Sequence, residues 1–468
     1  MYDLAIIGGG PGGYVAAIRG AQHGLKVLLV EKDSLGGTCL NRGCIPTKCF
    51  IYDTKLLDSV KSSQVIKGAE GVSIDLARMV DRKNKTVKRL VNGLHAIMQS
   101  HSIDVVSARG EVIGPGIVRV YPPEGPPRDH KAVNIILASG SKPKTLPFVE
   151  IDGDLIQTTD QVFDMEEIPR KIVIIGGGVI GIEMATIFFR LGSQVTILEM
   201  LPYILSGEDE EIRGAMGVLL KRRGVEIHVG ARATGVSISG REVTVNFVDK
   251  AGDSRSIRAD KLLVAAGRDP VLDGTNHRQL GLAMEGGFIR VDDHLETNLK
   301  GVYAVGDLVG GQMLAHKASA EAEIVITNIA GGHKTLKRHL VPRCVWGVAE
   351  IGAVGLTEEE ARKSGRQIKV GKFPFTSSGA AQALENTDGF VKVIADIDTG
   401  EVVGVHILGE HATDLIGEAV TAMTMEAVVE DFAEAIKPHP TLSEAVMEAA
   451  MDWSGVALHS PKKRTRVS

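Results

Sequence analysis

The chain has 468 residues, which at roughly 150 residues per domain predicts about three domains. Hydrophobic residues make up 44% and charged residues 24%, a composition that excludes disordered and fibrous classes for the chain as a whole. The formal net charge of −5 gives no basic excess, so we expect no nucleic-acid partner. The sequence begins without an export signal and contains no run of about 18 uncharged apolar residues. We therefore expect a cytoplasmic protein without a membrane span.

An internal repeat organises the first part of the chain. Segments 2–31 and 171–199 share one pattern: an apolar strand, a GxGxxG turn, a helix and a second strand that ends in glutamate. The defining residues are Gly8, Gly10, Gly13 and Glu31 in the first copy and Gly176, Gly178, Gly181 and Glu199 in the second. The predicted elements are strands over 3–7, 26–30, 172–175 and 194–198, with helices that end near residues 20 and 191. Equal spacing in both copies predicts two Rossmann-like βαβ units.

Each position of this repeat has a physical role in binding a dinucleotide. The first glycine permits a tight turn, the second lets the backbone approach a pyrophosphate, and the third lets the helix pack against the strand. The helix N-terminus then stabilises the phosphate charge. A carboxylate at the end of the second strand binds ribose hydroxyls and repels a 2′-phosphate, so Glu199 favours NAD over NADP. Two such sites in one chain indicate a flavin that exchanges electrons with a nicotinamide.

Three of the four cysteines, Cys39, Cys44 and Cys49, follow the first unit at intervals of five residues. A disulfide needs Cα atoms roughly 4.4 to 6.8 Å apart, and residues five apart in an ideal helix are farther apart than that. Gly43 and Pro46 predict a distorted turn, non-helical just before the proline, that leads into a helix. Spacing alone does not choose the partner of Cys44, although regular helix after Pro46 favours a buried apolar role for Cys49. The spacing does not match zinc ligands, so we expect no metal site.

The pattern changes from about Arg343 to that of a separate α+β domain. The predicted elements there are strands over 390–395 and 402–408 and helices over 414–429 and 442–451. Upstream, the apolar runs 135–140 and 262–267 predict buried strands that end in a glycine turn and close the two nucleotide-binding regions. The basic run 461–466 predicts a solvated terminus.

Two segments resemble the signatures of the dihydrolipoamide dehydrogenase family, within the flavin disulfide reductases. They are GTCLNRGCIPTK over 37–48 and HPTLSE over 439–444, and TNLKGVYAVGD over 297–307 resembles the second flavin motif. The resemblance covers essentially the whole chain in order. It implies an α/β protein with two Rossmann-like domains and a C-terminal α+β dimerisation domain. The implied regions are an FAD-binding domain with the redox disulfide over 1–149, an NAD-binding domain over 150–275, a central domain completing the FAD site over 276–342 and a dimerisation domain over 343–468.

The resemblance also implies a reaction, in which a protein-bound dihydrolipoyl group is oxidised and NAD⁺ is reduced. Cys39 would exchange thiols with the substrate, and Cys44 would form the redox disulfide with it and contact the FAD. His439, oriented by Glu444, would be the base, because imidazole titrates near neutral pH. The family places this pair on the second subunit, so a homodimer is expected. The expected partner is the lipoyl-bearing protein of a 2-oxo acid dehydrogenase or glycine cleavage complex.

Further site residues are implied by the same resemblance. Lys48 and Glu183 resemble an ion pair near the flavin ring, Asp307 is expected on the ribityl chain, Ala315 near the flavin ring and Gly267 at the cofactor site. Glutathione and trypanothione reductases resemble the chain as well, but they usually carry arginines where this chain has EMLP over 199–202. Mercuric reductase is expected to carry a cysteine pair after Cys344, which this sequence lacks. A flavin-binding redox sensor without turnover does not need the cysteine pair together with the histidine and glutamate.

Overall fold

The computed structural model describes residues 1–460, and they form two compact units. The first unit comprises Met1–Ile168 and Ala266–Leu336, and the second comprises Pro169–Ala265 and the described residues from Lys337 onward. Among the described residues, no helix has the length and apolar character needed to cross a membrane. The basic run 461–466, predicted to be solvated, lies outside the described residues.

Helices and strands are interspersed along the described part of the chain. The α-helices of the described part are α1 Pro11–Gln22, α2 Gly37–Asn41, α3 Cys44–Ser62, α4 Leu76–Ser100, α5 Val179–Arg190, α6 Glu210–Arg222, α7 His277–Leu280, α8 Ala315–Ile329, α9 Glu358–Lys363, α10 Gly379–Ala383, α11 Ala412–Thr424, α12 Val429–Glu434 and α13 Glu444–Ser454. The strands are β1 Tyr2–Ile7, β2 Val27–Glu31, β3 Asp104–Ser107, β4 Arg109–Gly114, β5 Ile117–Tyr121, β6 Arg128–Leu137, β7 Ser141–Pro143, β8 Ile156–Gln157, β9 Lys171–Ile175, β10 Gln194–Glu199, β11 Glu226–Val229, β12 Arg232–Ser239, β13 Glu242–Val248, β14 Ser254–Ala259, β15 Lys261–Val264, β16 Arg268–Pro270, β17 Met284–Glu285, β18 Phe288–Ile289, β19 Val302–Ala304, β20 Arg343–Trp346, β21 Glu350–Gly355, β22 Ile368–Pro374, β23 Phe390–Asp396 and β24 Val402–Gly409.

A parallel sheet in the order β3-β2-β1-β6-β19 forms the centre of the first unit. The amino-terminal half of β6 also pairs antiparallel with β5, which pairs with β4. Side chains of β1 alternate between the two faces of this sheet, as the period of a strand requires. Leu4 and Ile6 join one buried apolar cluster together with residues of α1 and α8, whereas Ala5 and Ile7 join another. The sheet is therefore buried on both faces, as parallel sheets are.

The second unit contains two sheets that matter for the site. Strands β11, β10, β9 and β15 pair in parallel in that order, and α5 connects β9 to β10. After residue 343 an antiparallel sheet runs in the order β20-β21-β24-β23-β22. Helices α11 and α13 pack on this antiparallel sheet through a cluster that includes Ile416, Ala445, Ala449 and Trp453. These elements have the α+β character predicted from the sequence, and the first strand of the sheet, β20, begins at Arg343.

The predicted repeat is confirmed by the elements themselves. The two copies are β1-α1-β2 and β9-α5-β10, and in each a 12-residue helix joins two parallel strands. The second strand of each copy ends at the predicted glutamate, Glu31 or Glu199. The strands predicted near 135–140 and 262–267 are also present, as β6 and β15, and each runs beside the first strand of its copy.

Two local predictions were wrong. The backbone is already helical before Pro46, because α3 begins at Cys44 and includes Ile45. Proline is accepted in the first turn of a helix, where its missing N–H has no helical partner to lose. The helix predicted over 414–429 is interrupted, since α11 ends at Thr424 and Glu426 takes a left-handed φ of 61° before α12 begins.

Candidate active site and nucleotide-binding turns

The two glycine turns have the same backbone geometry. Gly8 and Gly176, the first glycines, adopt φ values of 103° and 114°, which favour glycine. A Cβ at Gly13 would lie 1.8 Å from the carbonyl oxygen of Gly8, and one at Gly181 would lie 1.9 Å from that of Gly176. The third glycine therefore lets the first turn of each helix touch the end of the preceding strand.

The second glycines, Gly10 and Gly178, border open space. A Cβ at Gly178 would meet nothing within 4 Å, and one at Gly10 would meet only the Cα of Gly37, at 3.9 Å. Both residues are the N-caps of their helices, and no side chain caps either helix N-terminus. The backbone N–H groups there and the helix dipole favour an anion. Both turns thus fit the pyrophosphate of a dinucleotide, and α1 and α5 would hold it.

A glutamate carboxylate closes each turn. Glu31 accepts a hydrogen bond from the N–H of Gly9 at 2.5 Å, and Glu199 accepts one from the N–H of Gly177 at 2.6 Å. In both copies the second carboxylate oxygen accepts the N–H two residues further along the chain, at 2.7 Å. Burial raises the pKa of the Glu31 carboxyl above its ordinary value, against the opposing effect of its backbone hydrogen bond. The carboxylates join strand end to turn, which is where dinucleotide folds bind ribose.

The cysteine segment is a break between two helices. Helix α2 carries Cys39 and ends at Asn41, and α3 begins at Cys44, so a two-residue turn separates them. A Cβ at Gly43, within this turn, would lie 3.1 Å from the carbonyl oxygen of Thr38, so the backbone passes close to α2. The side-chain amide of Asn41 donates to the carbonyl oxygens of residues 35 and 37, at 3.0 and 2.9 Å. The distortion that a cysteine pair at this spacing needs is therefore located in the turn before α3.

The structure brings Cys39 and Cys44 together. Both are thiols here, Cys39 half-buried and Cys44 exposed, whereas Cys49 lies inside α3 with 6% of its surface exposed. A hydrogen bond with Cys44 raises the pKa of the Cys39 thiol, and burial raises it further, while the charge of Lys48 acts in the opposite direction. The pKa of the Tyr14 hydroxyl on α1 is raised as well, mainly by burial and in addition by the charges of these two thiols. The cysteine pair therefore lies beside the helix of the first nucleotide turn.

Asp307 lies in a 3₁₀ turn over Gly306–Val309 and has polar neighbours that the sequence did not reveal. It accepts a hydrogen bond from the hydroxyl of Ser141, and that hydroxyl accepts one from Nε of Arg268 at 2.6 Å. The guanidinium Nε of Arg268 is also 3.9 Å from the Asp307 carboxylate. These residues are far apart in sequence, so no spacing rule could have connected them. Gly267, the residue directly before Arg268, takes a φ of 108°.

The remaining residues expected near the flavin lie on helices. Ala315 is the first residue of α8, whose N-terminus also has no side-chain cap. Lys48 is half-buried on α3 in the first unit. Glu183 is buried on α5 in the second unit, where it accepts a hydrogen bond from the backbone N–H of Trp346 at 3.2 Å. The ion pair between Lys48 and Glu183 stays a prediction.

His439 and Glu444 form a hydrogen-bonded pair in the second unit, with Nδ1 and Oε1 2.9 Å apart. Glu444 is the first residue of α13, and its other oxygen accepts the N–H of Thr441 at 2.9 Å. That backbone hydrogen bond, followed by the hydrogen bond and charge of His439, lowers the pKa of the Glu444 carboxyl. The imidazole is 76% exposed, so an Nδ1 that donates to the carboxylate leaves Nε2 available to a proton donor from outside.

A second histidine–glutamate pair, missed in the sequence, joins α13 to the segment that follows it. Glu448, 2% exposed, accepts hydrogen bonds from the backbone N–H of Leu458 at 3.0 Å and from Nδ1 of His459 at 2.7 Å. The charge of His459 also contributes to the lowered pKa of Glu444. The available signal was the four-residue spacing of Glu444 and Glu448, which places both carboxylates on one face of a helix.

Comparisons with known proteins define the class. Residues 2–322 match the model of the family described as pyridine nucleotide-disulphide oxidoreductase, and residues 341–450 match the model of the dimerisation domain of that family. The chain belongs to the pyridine nucleotide-disulphide oxidoreductase family. It is a flavoprotein oxidoreductase, and its cofactors are FAD and NAD.

The chain is similar to particular relatives over nearly its whole length. The dihydrolipoyl dehydrogenase of Bacillus subtilis (strain 168) is 39% identical over 470 residues, covering 98% of this chain and 99% of the relative. That of Chlorobaculum tepidum is 39% identical and covers 97% of each chain. The crystal structure of LpdA from Mycobacterium tuberculosis superposes with a TM-score of 0.89 at 27% identity, over 96% of this chain and 99% of the other.

Proposed function

We propose that the chain is a dihydrolipoyl dehydrogenase, which oxidises dihydrolipoyl groups on a partner protein and reduces NAD⁺. The observation that carries this proposal is the cysteine pair, two interacting thiols held beside the first of two dinucleotide-binding turns. Glu199 at the second turn supports NAD as the acceptor, since a carboxylate there repels a 2′-phosphate. The relatives named dihydrolipoyl dehydrogenase support the same substrate.

The proposed reaction is a thiol–disulfide exchange at Cys39. A substrate thiolate attacks the sulfur of Cys39, the Cys39–Cys44 bond breaks, and Cys44 leaves as a thiolate. The second substrate thiolate then displaces Cys39, so the substrate becomes a disulfide and the cysteine pair gains two electrons. A bound FAD would supply the electron transfer that links the reduced cysteine pair to NAD⁺. Gly8, Gly10, Gly13, Glu31, Asp307 and Ala315 would hold the FAD, and Gly176, Gly178, Gly181, Glu199 and Gly267 the NAD.

His439 would take the proton that the substrate thiol must lose before it attacks. Glu444 keeps Nδ1 engaged through the 2.9 Å hydrogen bond and stabilises the imidazolium that forms. Both residues fall within residues 341–450, which match the dimerisation domain, and the chain is proposed to act as a homodimer. In this homodimer, His439 of the partner subunit would act on substrate bound at the cysteines of one subunit. Lys48 and Glu183 would flank the flavin.

The proposal also includes the organisation and the setting of the enzyme. The four regions are an FAD-binding domain over 1–149, an NAD-binding domain over 150–275, a central domain over 276–342 and a dimerisation domain over 343–468. The lipoyl group would be carried by a protein of a 2-oxo acid dehydrogenase or glycine cleavage complex in the cytoplasm.

Substitution Cys44→Ser tests the reaction. We expect FAD to stay bound while NAD⁺-coupled dihydrolipoamide oxidation falls at least ~1,000-fold, because loss of one member of a catalytic unit removes most of its effect. The control Cys49→Ala removes a small buried apolar group and should keep turnover within about twofold. Undiminished turnover by Cys44→Ser would exclude the mechanism, and preferential turnover of glutathione disulfide with NADPH would assign a different reductase.

Mixed dimers test whether the site is shared between subunits. In each such dimer one subunit carries Cys44→Ser and the other carries His439→Gln. A mixed dimer of the two inactive chains has one site with both native groups only if each site takes its cysteines and its histidine from different subunits. We expect such mixed dimers to regain about half of the native turnover per dimer. No recovery in verified mixed dimers would place both groups of a site on one subunit.

A further inference from the structure

The first unit contains a buried ion pair that the proposed reaction does not use. Lys317 and Glu321 lie one turn apart on α8, and Nζ is 2.7 Å from Oε1. Their side chains are 3% and 0% exposed. Removing two charges from water costs several kcal/mol per ion, which their attraction offsets only when the remaining hydrogen-bonding groups are satisfied as well. What else this pair binds therefore indicates its role.

Both side chains bind the same backbone residue, Gly306. The second carboxylate oxygen of Glu321 accepts the N–H of Gly306 at 2.7 Å. The ammonium group of Lys317 donates to the carbonyl oxygen of Gly306 at 3.5 Å. Gly306 has a φ of 75°, which favours glycine, and a Cβ there would lie 3.3 Å from the Cβ of Ala318 on α8. The ion pair thus fixes both polar groups of one glycine against α8.

Gly306 lies between the first nucleotide turn and Asp307. On its amino-terminal side, the N–H of Val305 donates to the carbonyl oxygen of Leu137 at 3.0 Å. A Cβ at Gly12, in the first turn of α1, would lie only 2.9 Å from the Cγ2 atom of Val305, so this segment packs against the helix N-terminus that fits a pyrophosphate. On its carboxyl-terminal side comes Asp307, which is held by Ser141. Gly306 therefore connects the segment that packs against the N-terminus of α1 to Asp307.

We propose that Lys317 and Glu321 are positioning residues for FAD. Their ion pair clamps Gly306, and the clamp sets the distance and direction of the Asp307 carboxylate from the pyrophosphate-binding turn of α1. The inference rests on the proposed function for the placement of Asp307 at the ribityl chain. A pair that served only to stabilise the fold would not need to bind the glycine that precedes this carboxylate.

The test measures FAD binding to protein from which FAD has been removed, by the change in flavin fluorescence on titration. The variant Lys317→Met/Glu321→Leu removes the clamp without leaving a single buried charge, and we expect its Kd for FAD to rise at least ~10-fold, as for loss of a charge-assisted hydrogen bond. The variant Lys317→Met/Glu321→Gln keeps an acceptor for the N–H of Gly306. We expect this conservative variant to recover most of the lost affinity.

A matched control comes from the same unit. Lys83 is a buried lysine that pairs with Asp164 at 2.5 Å, and neither residue binds Gly306. Lys83→Met should lower the free energy of unfolding and leave the Kd for FAD unchanged. If Lys83→Met weakens FAD binding as much as the loss of the clamp does, the clamp has only a general structural role.

A double-mutant cycle with Asp307→Asn tests whether the clamp acts through Asp307. In the native background we expect this substitution to raise the Kd for FAD, and in the variant without the clamp its added effect should be smaller, because residues that act through one another are not additive. Full additivity would overturn the inference. These outcomes are separate from the proposed function, which fails if the native protein binds FAD but shows no dihydrolipoamide turnover.

Discussion

The two nucleotide-binding turns are alike well beyond the GxGxxG motif. The carbonyl oxygen of Gly9 accepts the N–H of Gly36 at 2.8 Å, and that of Gly177 accepts the N–H of Leu205 at 2.9 Å. Both Gly36 and Leu205 have positive φ, at 92° and 50°. After each glutamate the chain thus returns to the turn and donates an equivalent backbone hydrogen bond, five residues on in the first copy and six in the second, although this part of the sequence shows no repeat.

The turns differ in what lies beside the second glycine. At the first turn, a Cβ on Gly37 would lie 2.7 Å from the Cα of Gly10, so the start of α2 passes close beside the first helix N-terminus, although the Cβ position of Gly10 itself stays open. At the second turn, Gly178 has nothing within 4 Å of its Cβ position. The cysteine-bearing helix α2 therefore passes beside the second glycine of the first turn, and no atom lies as close to the second glycine of the other turn. This difference suits a cofactor that stays beside the thiols and a coenzyme that exchanges.

The largest effect is expected from substitutions in the second turn. Gly181→Ala places a Cβ 1.9 Å from the carbonyl oxygen of Gly176, so the helix must move away from the strand. Overpacking of this kind costs about 1 to 3 kcal/mol, and we expect both the free energy of unfolding and flavin reduction by NADH to fall. Gly178→Ala has room for its Cβ, so it should affect only the coenzyme, with the KM for NADH raised about tenfold and stability unchanged within ~0.5 kcal/mol.

Stopped-flow reduction by NADH and urea denaturation of the two variants separate these outcomes. Equal destabilisation by Gly178→Ala and Gly181→Ala would show that the second glycine has a steric role in the fold and does not border the coenzyme. The same pair of substitutions at Gly10 and Gly13 should act on FAD retention instead. A Cβ on Gly10 would come no closer than 3.9 Å to Gly37, an ordinary van der Waals distance, so we expect Gly10→Ala to keep the fold about as well as Gly178→Ala does.

The repeat could be predicted because its glycines follow from backbone geometry alone. A Cβ at Gly13 or Gly181 collides with a carbonyl group only a few residues away, so the requirement is written locally in the sequence. The clamp on Gly306 could not be predicted in this way. Lys317 and Glu321 have the spacing of an ordinary surface ion pair on a helix, and only tertiary packing buries them and brings Gly306 between them.

The wrong predictions and the missed contacts have different physical causes. Pro46 was expected to keep the residue before it out of a helix, but a first-turn proline needs no N–H and α3 accommodates it. The helix is interrupted at Glu426 without a glycine or proline nearby, so the sequence there contains no residue that predicts a helix end. Ser141 and Arg268 reach Asp307 from another part of the first unit, and a sequence carries no spacing signal for such a contact.

An intermediate effect is expected from the two glutamates that close the turns. Glu199→Gln keeps the shape of the side chain but replaces an acceptor oxygen by a donor, which faces a backbone N–H or the ribose hydroxyls. We expect the affinity for NADH to fall about tenfold, within the range for hydrogen bonds to charged groups, while FAD content stays native. Glu31→Gln should do the reverse, weakening FAD and leaving the KM for NADH unchanged. Loss of both cofactors in either variant would contradict independent turns.

The smallest effect is the pH dependence that Glu31 gives to the FAD-free protein. Burial raises the pKa of this carboxyl above its ordinary value of 4.5, so the folded state favours the protonated form. The resulting stability is fully present below the ordinary pKa and is lost as the pH rises through the raised one. Relative to Glu31→Gln, which does not titrate, the native protein should therefore lose free energy of unfolding as the pH rises from about 4.5 and then level off.

Urea denaturation of both FAD-free proteins across this pH range, at low and high salt, measures the difference. Burial is the largest cause of the shift, while the charges of Lys32 and Arg42 act against it. Salt screens those charges but does not alter burial, so added salt should preserve or enlarge the loss of stability at higher pH. A native protein that gains stability over Glu31→Gln as the pH rises would mean that hydrogen bonds and nearby cations outweigh burial. The first turn would then be poised for an ionised carboxylate even before FAD binds.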